Sequence, residues 1–527
     1  MLTIFNTLTR RMEEFAPISA PAVGMYTCGP TVYDYATIGN FRAYVFEDIL
    51  RRYLEFSGFQ VKQVMNLTDV DDKTIRGAKA AGVPLNDYTQ RYKDAFFADL
   101  GALNIEPAEL YPAATDHVPE MIKLIQTLVG KGYAYPAADG SVYFSISKFT
   151  KYGQLAHLDL AGLKPGARVA QDEYEKENVS DFALWKAHHD DDGDVGWDSP
   201  WGRGRPGWHI ECSAMSMKYL GESFDLHTGG IDNIFPHHED EIAQSEAATG
   251  KQFVKYWMHC AHLVVDGRKM SKSLGNFYTL RDLIQKGYSS REIRYVLLSA
   301  HYRQALNFTF SALDAARSSL QRIDEFGSRL QSIAVPTDGN FNPGRAGQLA
   351  SPACNAGGTG TAGRPFDSVG PRQWRGKQGC LPSSERGSPL SIKASNATSA
   401  VNPDWIDGYF KKFRAAMDED LNVPIALSAL YDLVHEGNRR IDLGSLSSGD
   451  GKSVLDVLAQ MDRVLGVLKH GGDKPDAAVI ELAQTRQNAR KAKQWAESDR
   501  LRKLIEEKGW VVQDAADGFK LKRHKGT

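Results

Sequence analysis

The chain has 527 residues, 42% of them hydrophobic, and a formal net charge of -2. This length exceeds what one compact core normally supports, so we expect three or four domains. The small net charge excludes binding to nucleic acid driven by overall charge. Any such contact must come from local basic patches.

The five cysteines, Cys28, Cys212, Cys260, Cys354 and Cys380, are far apart and form no CxxC pair. An odd number of scattered cysteines argues against a disulfide framework and favours a reducing compartment. The N-terminal segment has no apolar run after its charges, which argues against a signal peptide. No stretch reaches the ~20 apolar residues that a membrane helix needs. We therefore expect a cytoplasmic protein without membrane contact.

The first elements in chain order predict an α/β layer. Residues 23–28 read as a strand, residues 41–56 as a helix with one apolar face, and residues 61–67 as a second strand. Strand, helix and strand in this order are typical of a parallel crossover in a nucleotide-binding domain. We assign residues 1–117 to the first half of such a domain.

An insertion is predicted over residues 118–200. It contains a helix over 119–129, a hairpin near Tyr143 and an acidic loop at 190–192. The α/β pattern then resumes and completes the domain over residues 201–265.

The second half of the chain is predicted to be mostly helical. Residues 266–334 combine a basic loop with a helical junction, and residues 405–470 show helical periodicity. Between them, residues 335–404 are crowded with Gly, Ser, Pro, Ala and Asn, which predicts a flexible low-complexity insertion. Residues 471–527 form a small, mildly basic C-terminal unit.

The segment GPTVYDYATIGN leads into the first predicted helix. A glycine at this place lets a ligand approach the backbone, and a helix N-terminus favours phosphate. Thr37 and Asn40 could donate hydrogen bonds to a triphosphate close to Gly39. Polar turns before helices are common, so this motif alone does not identify a nucleotide site.

The string KMSKS places Lys269 and Lys272 in a short segment that ends in a Gly-Asn turn. A mobile loop of this kind can bring ammonium groups to the charge that develops as pyrophosphate leaves. The alternative is a solvated basic loop. The specificity of the five-residue string favours the catalytic interpretation.

Metal-capable residues occur in three separate segments. The string PHHEDE opens a predicted helix, on which either His237 or His238 could act together with Glu241. Cys28 and Cys212 could complete a tetrahedral zinc site, since thiolate, imidazole and carboxylate are all zinc ligands. Spacing does not choose between the two histidines. It also leaves open that the cysteines are small buried hydrophobic residues and that PHHEDE is only a helix start.

Taken together, these motifs resemble one family. CGPTVYDYATIGN, NLTDVDDK, GWHIECSAM, HTGGIDNIFPHHEDE and KMSKS occur in the order found in class I cysteinyl-tRNA synthetases. The resemblance covers about residues 1–330 and resumes at 416–422. It implies an α/β fold with a class I Rossmann-type nucleotide-binding domain and a connective insertion, followed by a helical bundle on the anticodon side and a small C-terminal tRNA-binding domain.

The resemblance also implies roles for individual residues. The family's zinc ligands fall on Cys28, Cys212, His237 and Glu241, its amino-acid pocket on Cys28, Thr68, Trp208 and His227, and its ATP-binding residues on Gly39, Gly229, Gly230, Asp232 and Lys272. Catalytic contacts to phosphate fall on Thr37, Asn40, Lys269 and Lys272.

The implied activity is the ATP-dependent ligation of L-cysteine to tRNA(Cys) through cysteinyl-adenylate. One Zn²⁺ per chain would select the substrate thiol, and Mg²⁺ would accompany ATP. Thr37 stands where the class signature has histidine, but its hydroxyl can still donate to phosphate, so we expect activity. We further expect a monomer.

Two alternatives differ from this activity. A cysteine ligase of mycothiol synthesis shares the adenylate-forming core, but it generally lacks the C-terminal tRNA-binding domains, and residues 405–527 argue against it. A catalytically inactive tRNA- or zinc-binding module is the second alternative. Trp495, Trp510 and Phe519 are predicted either to stack on bases of a tRNA loop or to pack in the core of the C-terminal unit.

Overall fold

The computed structural model describes most of the chain, including both predicted halves of the nucleotide-binding domain at 1–117 and 201–265. The described residues are 1–158, 168–169, 181–334, 403–468, 477–492, 494–507, 510–515 and 518–523. The predicted insertion at 335–404 therefore lies outside the described residues, except for its last two positions. No helix of the described part is long and apolar enough to cross a membrane.

Strands and helices alternate at the start of the chain. They are β1 (Thr3–Asn6), β2 (Arg11–Glu14), β3 (Ala22–Thr27), α1 (Ile38–Phe56), β4 (Gln60–Met65), α2 (Asp72–Ala81) and α3 (Leu85–Ala102). The predicted order of strand, helix and strand is confirmed. Helix α1 begins three residues earlier than its apolar face predicts, because Thr37 caps its N-terminus.

The connective region that follows contains one helix and a small sheet. Its elements are α4 (Val118–Gly130), β5 (Ala134–Pro136), β6 (Val142–Phe144), β7 (Arg168–Val169), β8 (Asp181–Ala187) and β9 (Gly204–Pro206). The predicted hairpin is confirmed, since β5 pairs antiparallel with β6 and Tyr135 lies opposite Tyr143. The acidic segment at 190–192 is more than a solvated loop, because the buried Asp192 accepts a hydrogen bond from Arg205 at 2.9 Å.

The α/β pattern resumes with α5 (Trp208–Leu220), β10 (Phe224–Gly230), α6 (His237–Thr249) and β11 (Val254–Cys260). Strands from both halves form one sheet in the order β11-β10-β3-β4, and every neighbouring pair is parallel. The carboxyl ends of all four strands therefore meet at one edge, where open parallel sheets bind their ligands.

A junction region connects this sheet to the helices. It consists of β12 (Leu263–Val265), β13 (Arg268–Lys269), α7 (Leu280–Gln285), α8 (Ser290–Leu298), β14 (Leu306–Phe308) and α9 (Phe310–Ala334). The helical periodicity predicted here is confirmed apart from β14. That strand is only three residues long and pairs parallel with β12, about 40 positions earlier in the chain. A strand this short leaves no detectable periodicity.

The C-terminal part begins with helices α10 (Asp404–Asp418), α11 (Val423–Asp442) and α12 (Ser448–Leu465). A small unit follows, made of α13 (Ala477–Lys491), α14 (Trp495–Glu507), β15 (Trp510–Ala515) and β16 (Gly518–Arg523). Trp510 is buried in the core of this unit and Phe519 packs against it, whereas 57% of Trp495 is exposed. Of the three aromatic side chains singled out in the sequence, only Trp495 has an exposed ring.

The helical region is fixed to the α/β region by a buried arginine. Arg294 of α8 forms a 2.5 Å ion pair with Asp48 of α1, and its Nε donates to the Leu465 carbonyl at 2.9 Å. Both charges are almost completely buried, so the pair persists only because its hydrogen-bonding capacity is satisfied. The exact residues at which the domains were predicted to begin and end are not tested by these contacts and remain predictions.

We predict that Gly29→Ala destabilises the protein. A Cβ atom on Gly29 would lie 1.7 Å from the Asn66 carbonyl oxygen, so the loop after β3 would have to shift. Overpacking of this kind costs about 1–3 kcal/mol. The midpoint of thermal unfolding measures the effect. Gly101→Ala is the matched control, because nothing lies within 4 Å of its added methyl group, and an unchanged midpoint in Gly29→Ala would contradict the prediction.

Candidate active site

A cavity of about 610 Å³ opens at the carboxyl edge of the parallel sheet. Eight of the residues singled out in the sequence line it, namely Cys28, Thr37, Gly39, Asn40, Trp208, Gly230, Asp232 and Lys269. The others lie around it. Thr68, Cys212, His227, Gly229, His237 and Glu241 are buried, and Lys272 lies at its rim.

The predicted zinc ligands converge on one point. Cys28 follows β3, Cys212 lies on α5, and His237 and Glu241 lie one turn apart on α6. Their sulfur, nitrogen and oxygen atoms all lie within 4.8 Å of one another. Two thiols, one imidazole and one carboxylate are a donor set that suits Zn²⁺.

A second group of residues shares two members with this cluster. The ligand atoms of Cys28, His227, His238 and Glu241 also lie within 4.8 Å of one another. Nε2 of His238 is 3.2 Å from the Cys28 sulfur, and its Nδ1 is 2.8 Å from Nε2 of His259. The structure thus brings both histidines of PHHEDE next to Cys28 and Glu241.

The cluster is buried and carries charge. Burial raises the pKa of Glu241, but the imidazoles of His227 and His237 outweigh it and lower this pKa to about 2. Burial lowers the pKa of His237, but Cys212 and Glu241 outweigh it and raise it to about 10. Burial, followed by the neighbouring Cys28, raises the pKa of Cys212. A carboxylate and two thiols at such close range favour a bound cation.

The other two acids at the start of α6 are bound to the connective region. The Glu239 carboxylate accepts three backbone N–H groups of the turn at 153–156, at 2.7–2.9 Å. Asp240 accepts a hydrogen bond from Tyr152 and lies 3.3 Å from Nε2 of His209. These contacts cannot be predicted from the sequence. Acidic residues are common in the first turn of any helix, because they interact favourably with the helix dipole, so their presence does not indicate a partner elsewhere in the chain.

The residues predicted for the amino-acid pocket lie in two places. The ring of Trp208 lines the cavity and stacks on His237, with centroids 4.2 Å apart. Thr68 instead donates to Glu211 at 2.9 Å, and His227 lies 2.9 Å from Glu241. Trp208 is therefore the one of these three that faces the cavity.

Side chains pack closely against the two glycines at the end of β10. A Cβ on Gly229 would lie 2.9 Å from Cε1 of His238, and one on Gly230 would lie 2.4 Å from a carboxylate oxygen of Asp232. Their small size lets His238 and Asp232 approach the strand end.

Thr37 and Asn40 bind each other in this structure. The Thr37 hydroxyl donates to Oδ1 of Asn40 at 2.8 Å and accepts the Asn40 backbone N–H at 3.2 Å. Together they form a capping box at the N-terminus of α1. Threonine is a preferred residue at this position, which gives a physical reason for Thr37 in place of histidine.

The KMSKS loop reaches the same helix end. Nζ of Lys272 lies 2.6 Å from a carboxylate oxygen of Asp34, which lines the cavity. A Cβ added to Gly39 would come within 3.2 Å of the Met270 methyl group. Sequence reasoning missed Asp34, although it stands inside the quoted motif GPTVYDYATIGN.

A buried carboxylate lies close to the cavity. Glu47 of α1 is 1% exposed, and the Thr228 hydroxyl donates to one of its oxygens at 2.9 Å. Burial raises the pKa of Glu47 to about 8, against which the Thr228 hydrogen bond acts only partly. Nothing in the sequence pattern singled out this residue.

Comparisons with known proteins show the family to which the chain belongs. A family model described as the tRNA synthetases class I (C) catalytic domain matches residues 14–318, and a DALR domain model matches residues 412–469. A cysteine–tRNA ligase of Protochlamydia amoebophila is 46% identical over 530 residues, covering 99% of this chain and 98% of that relative. One of Brachyspira hyodysenteriae is 44% identical over 530 residues, covering 99% of both.

Solved structures with a similar fold are much less similar in sequence. A Mycobacterium tuberculosis methionyl-tRNA synthetase in complex with methionyl-adenylate superposes with a TM-score of 0.55 at 16% identity, covering 85% of this chain and 90% of that one. The LeuRS of Agrobacterium radiobacter K84, in a ternary complex with tRNA and LeuAMS, gives 0.52 at 12% identity, covering 86% and 84%. At this identity the likeness shows the fold alone.

We predict that Glu47→Gln makes the folded protein more stable than the wild type at alkaline pH. Because the folded-state pKa of about 8 lies above the 4.5 of an unperturbed glutamic acid, the wild type has its full stability below pH 4.5 and loses the contribution of Glu47 as the pH rises through 8. The unfolding midpoint of the variant should therefore exceed that of the wild type by a margin that grows from pH 5 to pH 8.5. A constant margin, as expected for a change at the exposed Glu222, would contradict this.

We predict that Asp34→Asn loosens the KMSKS loop. An exposed ion pair contributes about 0.2–1 kcal/mol, so trypsin should cleave after Lys269 or Lys272 up to about fivefold faster in the nucleotide-free protein. Glu222→Gln is the control, because it breaks the surface pair of Glu222 with Lys251, which has the same 2.6 Å separation. Equal cleavage rates in all three proteins would show that Asp34 does not hold the loop.

Proposed function

Because this chain belongs to the cysteine–tRNA ligase family, we propose that it joins L-cysteine to tRNA(Cys) in two steps at the expense of ATP. The observation that carries the proposal is the convergence of Cys28, Cys212, His237 and Glu241 beside the cavity. Nearly full-length similarity to cysteine–tRNA ligases supports it.

Cys28, Cys212, His237 and Glu241 would hold one Zn²⁺. Bound zinc supplies a position that takes a thiolate far better than a hydroxyl, so it separates cysteine from serine. A site that requires one specific polar contact can discriminate by ~10⁴ or more. Trp208, which stacks on His237 and lines the cavity, would cover the substrate side chain.

In the first step the cysteine carboxylate attacks the α-phosphate of ATP. A bond forms between the carboxylate oxygen and phosphorus, and the bond to pyrophosphate breaks, which gives cysteinyl-adenylate. Lys269 and Lys272 would neutralise the leaving pyrophosphate, and Mg²⁺ would accompany ATP. Thr37 and Asn40 would give up some of the hydrogen bonds between them and donate hydrogen bonds to the phosphates at the N-terminus of α1 instead.

The adenosine would bind at the end of β10. Gly229 and Gly230 leave room there, and the carboxylate of Asp232 lines the cavity, where it can accept hydrogen bonds from a ribose. Gly39 lets the phosphates approach the first turn of α1. Position and charge, rather than covalent chemistry by the protein, account for the rate.

In the second step the terminal adenosine of tRNA takes the cysteinyl group through a ribose hydroxyl, and AMP leaves. Helices α10, α11 and α12, which overlap the DALR match at 412–469, would contact the anticodon side of the tRNA. In the C-terminal unit, the exposed ring of Trp495 would stack on a base of the tRNA. The proposal extends to a monomeric enzyme acting in the cytoplasm, where its three substrates occur.

The mycothiol ligase alternative is disfavoured. Such an enzyme uses the same core on an amino sugar and has no need of a tRNA-binding region. The similarity to cysteine–tRNA ligases spans 99% of this chain, including the C-terminal helices.

We predict that Cys212→Ser lowers zinc content well below one per chain and abolishes most cysteine-dependent ATP–pyrophosphate exchange. The reason is that a serine hydroxyl is a poor zinc ligand. Metal analysis and the exchange assay on one sample provide the measurement. Cys260→Ser is the control for zinc content, because Cys260 is equally buried but belongs to neither donor group. Full zinc and full exchange in Cys212→Ser would refute the assignment.

A further inference from the structure

An aromatic surface adjoins the cavity on the side of α2 and α3. We call it the tyrosine surface, and it consists of Tyr33, Tyr35, Tyr88, Tyr92, Lys73 and Arg91. Tyr33 and Tyr35 belong to the loop before α1, and Tyr88 and Tyr92 lie one turn apart on α3. Neither the zinc cluster nor the phosphate contacts proposed above use these side chains.

Three of the four rings pack against one another, and the backbone of the fourth residue, Tyr33, is bonded to them. The rings of Tyr35 and Tyr92 are 5.4 Å apart, and those of Tyr88 and Tyr92 are 5.2 Å apart, both edge to face. The Tyr88 hydroxyl donates to the Tyr33 carbonyl at 2.8 Å. A Cβ on Gly77 of α2 would lie 2.3 Å from that hydroxyl, so a glycine is needed for this contact.

Three cations lie over these rings, and two of them, Lys73 and Arg91, are exposed; the third, Arg281, is 4.9 Å from the centroid of Tyr35 and pairs with Asp99. The guanidinium of Arg91 is 5.8 Å from the centroid of Tyr35 and 5.6 Å from that of Tyr92, and it donates to the Tyr35 hydroxyl at 3.3 Å. The ammonium of Lys73 is 5.6 Å from the centroid of Tyr33. Lys73 and Arg91 are both exposed, and 38% of Tyr33 is exposed.

The tyrosine surface begins at the lip of the cavity and continues outward. Tyr33, Tyr35 and Lys73 line the cavity, whereas Arg91 lies beyond its lining. A substrate whose reactive end enters this cavity, while the rest remains outside, must cross the lip. The 3′ end of tRNA has this geometry, because only its terminal ribose hydroxyl has to reach the adenylate.

We propose that the tyrosine surface binds the unpaired 3′ strand of tRNA as it enters the active site; this inference rests on the proposed function. Unpaired bases stack on aromatic rings and on guanidinium planes, and lysine and arginine neutralise the phosphates between them. A paired stem does not expose base faces, so the surface suits single-stranded rather than duplex RNA. Stacking of this kind tolerates any base.

The test is a thermodynamic cycle that combines Arg91→Gln with a shortened tRNA. Binding of a tRNA(Cys) transcript is compared with binding of the same transcript without its unpaired 3′ nucleotides. Arg91→Gln should weaken binding of the full transcript about fivefold and reduce the slope of log K against log salt by about 0.7, the value for one phosphate contact on a single strand. For the shortened transcript the variant and the wild type should bind equally.

Arg76→Gln serves as the matched control. Arg76 is exposed on α2, so its replacement removes the same charge from the same neighbourhood. If Arg76→Gln weakens binding as much as Arg91→Gln, or if Arg91→Gln affects both transcripts equally, general electrostatic attraction accounts for the result and the inference is wrong. Unchanged binding of the full transcript by Arg91→Gln would also overturn it.

Cysteine-dependent ATP–pyrophosphate exchange separates this inference from the proposed function. The exchange requires no tRNA, so Arg91→Gln should retain the wild-type rate while its KM for tRNA in aminoacylation rises. Absence of exchange in the wild type would reject the proposed function itself. Normal exchange with an unchanged KM for tRNA would reject only the tyrosine surface as a binding site.

Discussion

The burial of charge at the first turn of α6 is the constraint on which the site depends. Ionised groups can be taken out of water only when partners satisfy them, and here the partners of Glu239, Asp240 and Glu241 come from other segments, except His237, which lies on α6 itself. Glu241 lies between His227 of β10 and His237, and the other two acids bind the connective region. The donor cluster can therefore form only after both halves of the sheet and the insertion have come together.

The sequence predicts the framework of this arrangement well. An apolar strand, an amphipathic helix and a second strand have periods that can be recognised locally, and the structure has all three over residues 22–65. The candidate ligands could be identified by residue type, but the spacing of PHHEDE could not choose between His237 and His238. The structure explains the difficulty, since both imidazoles lie beside Glu241.

What the sequence does not predict is mostly pairing between distant residues. Strand β14, the Asp34–Lys272 ion pair and the buried Glu47 each depend on a partner far away in the chain, and a single sequence holds no signal for such a partner. Thr37 and Asn40 are a different case. Threonine is a favoured N-cap residue, but its usual partner in a capping box is Glu or Gln, so the sequence does not indicate the mutual bonding of Thr37 with Asn40 that the structure has.

The attachment of Glu239 to the connective region has an evolutionary consequence. The hydrogen bonds come from main-chain N–H groups of residues 153, 155 and 156, so the contact itself specifies no side chain there, and the identities of the buried Leu155 and Ala156 are restricted by packing instead. Proline, which has no N–H, would break the contact at either position. Gly153, with φ of 88°, is the one residue of this turn whose identity the backbone itself restricts.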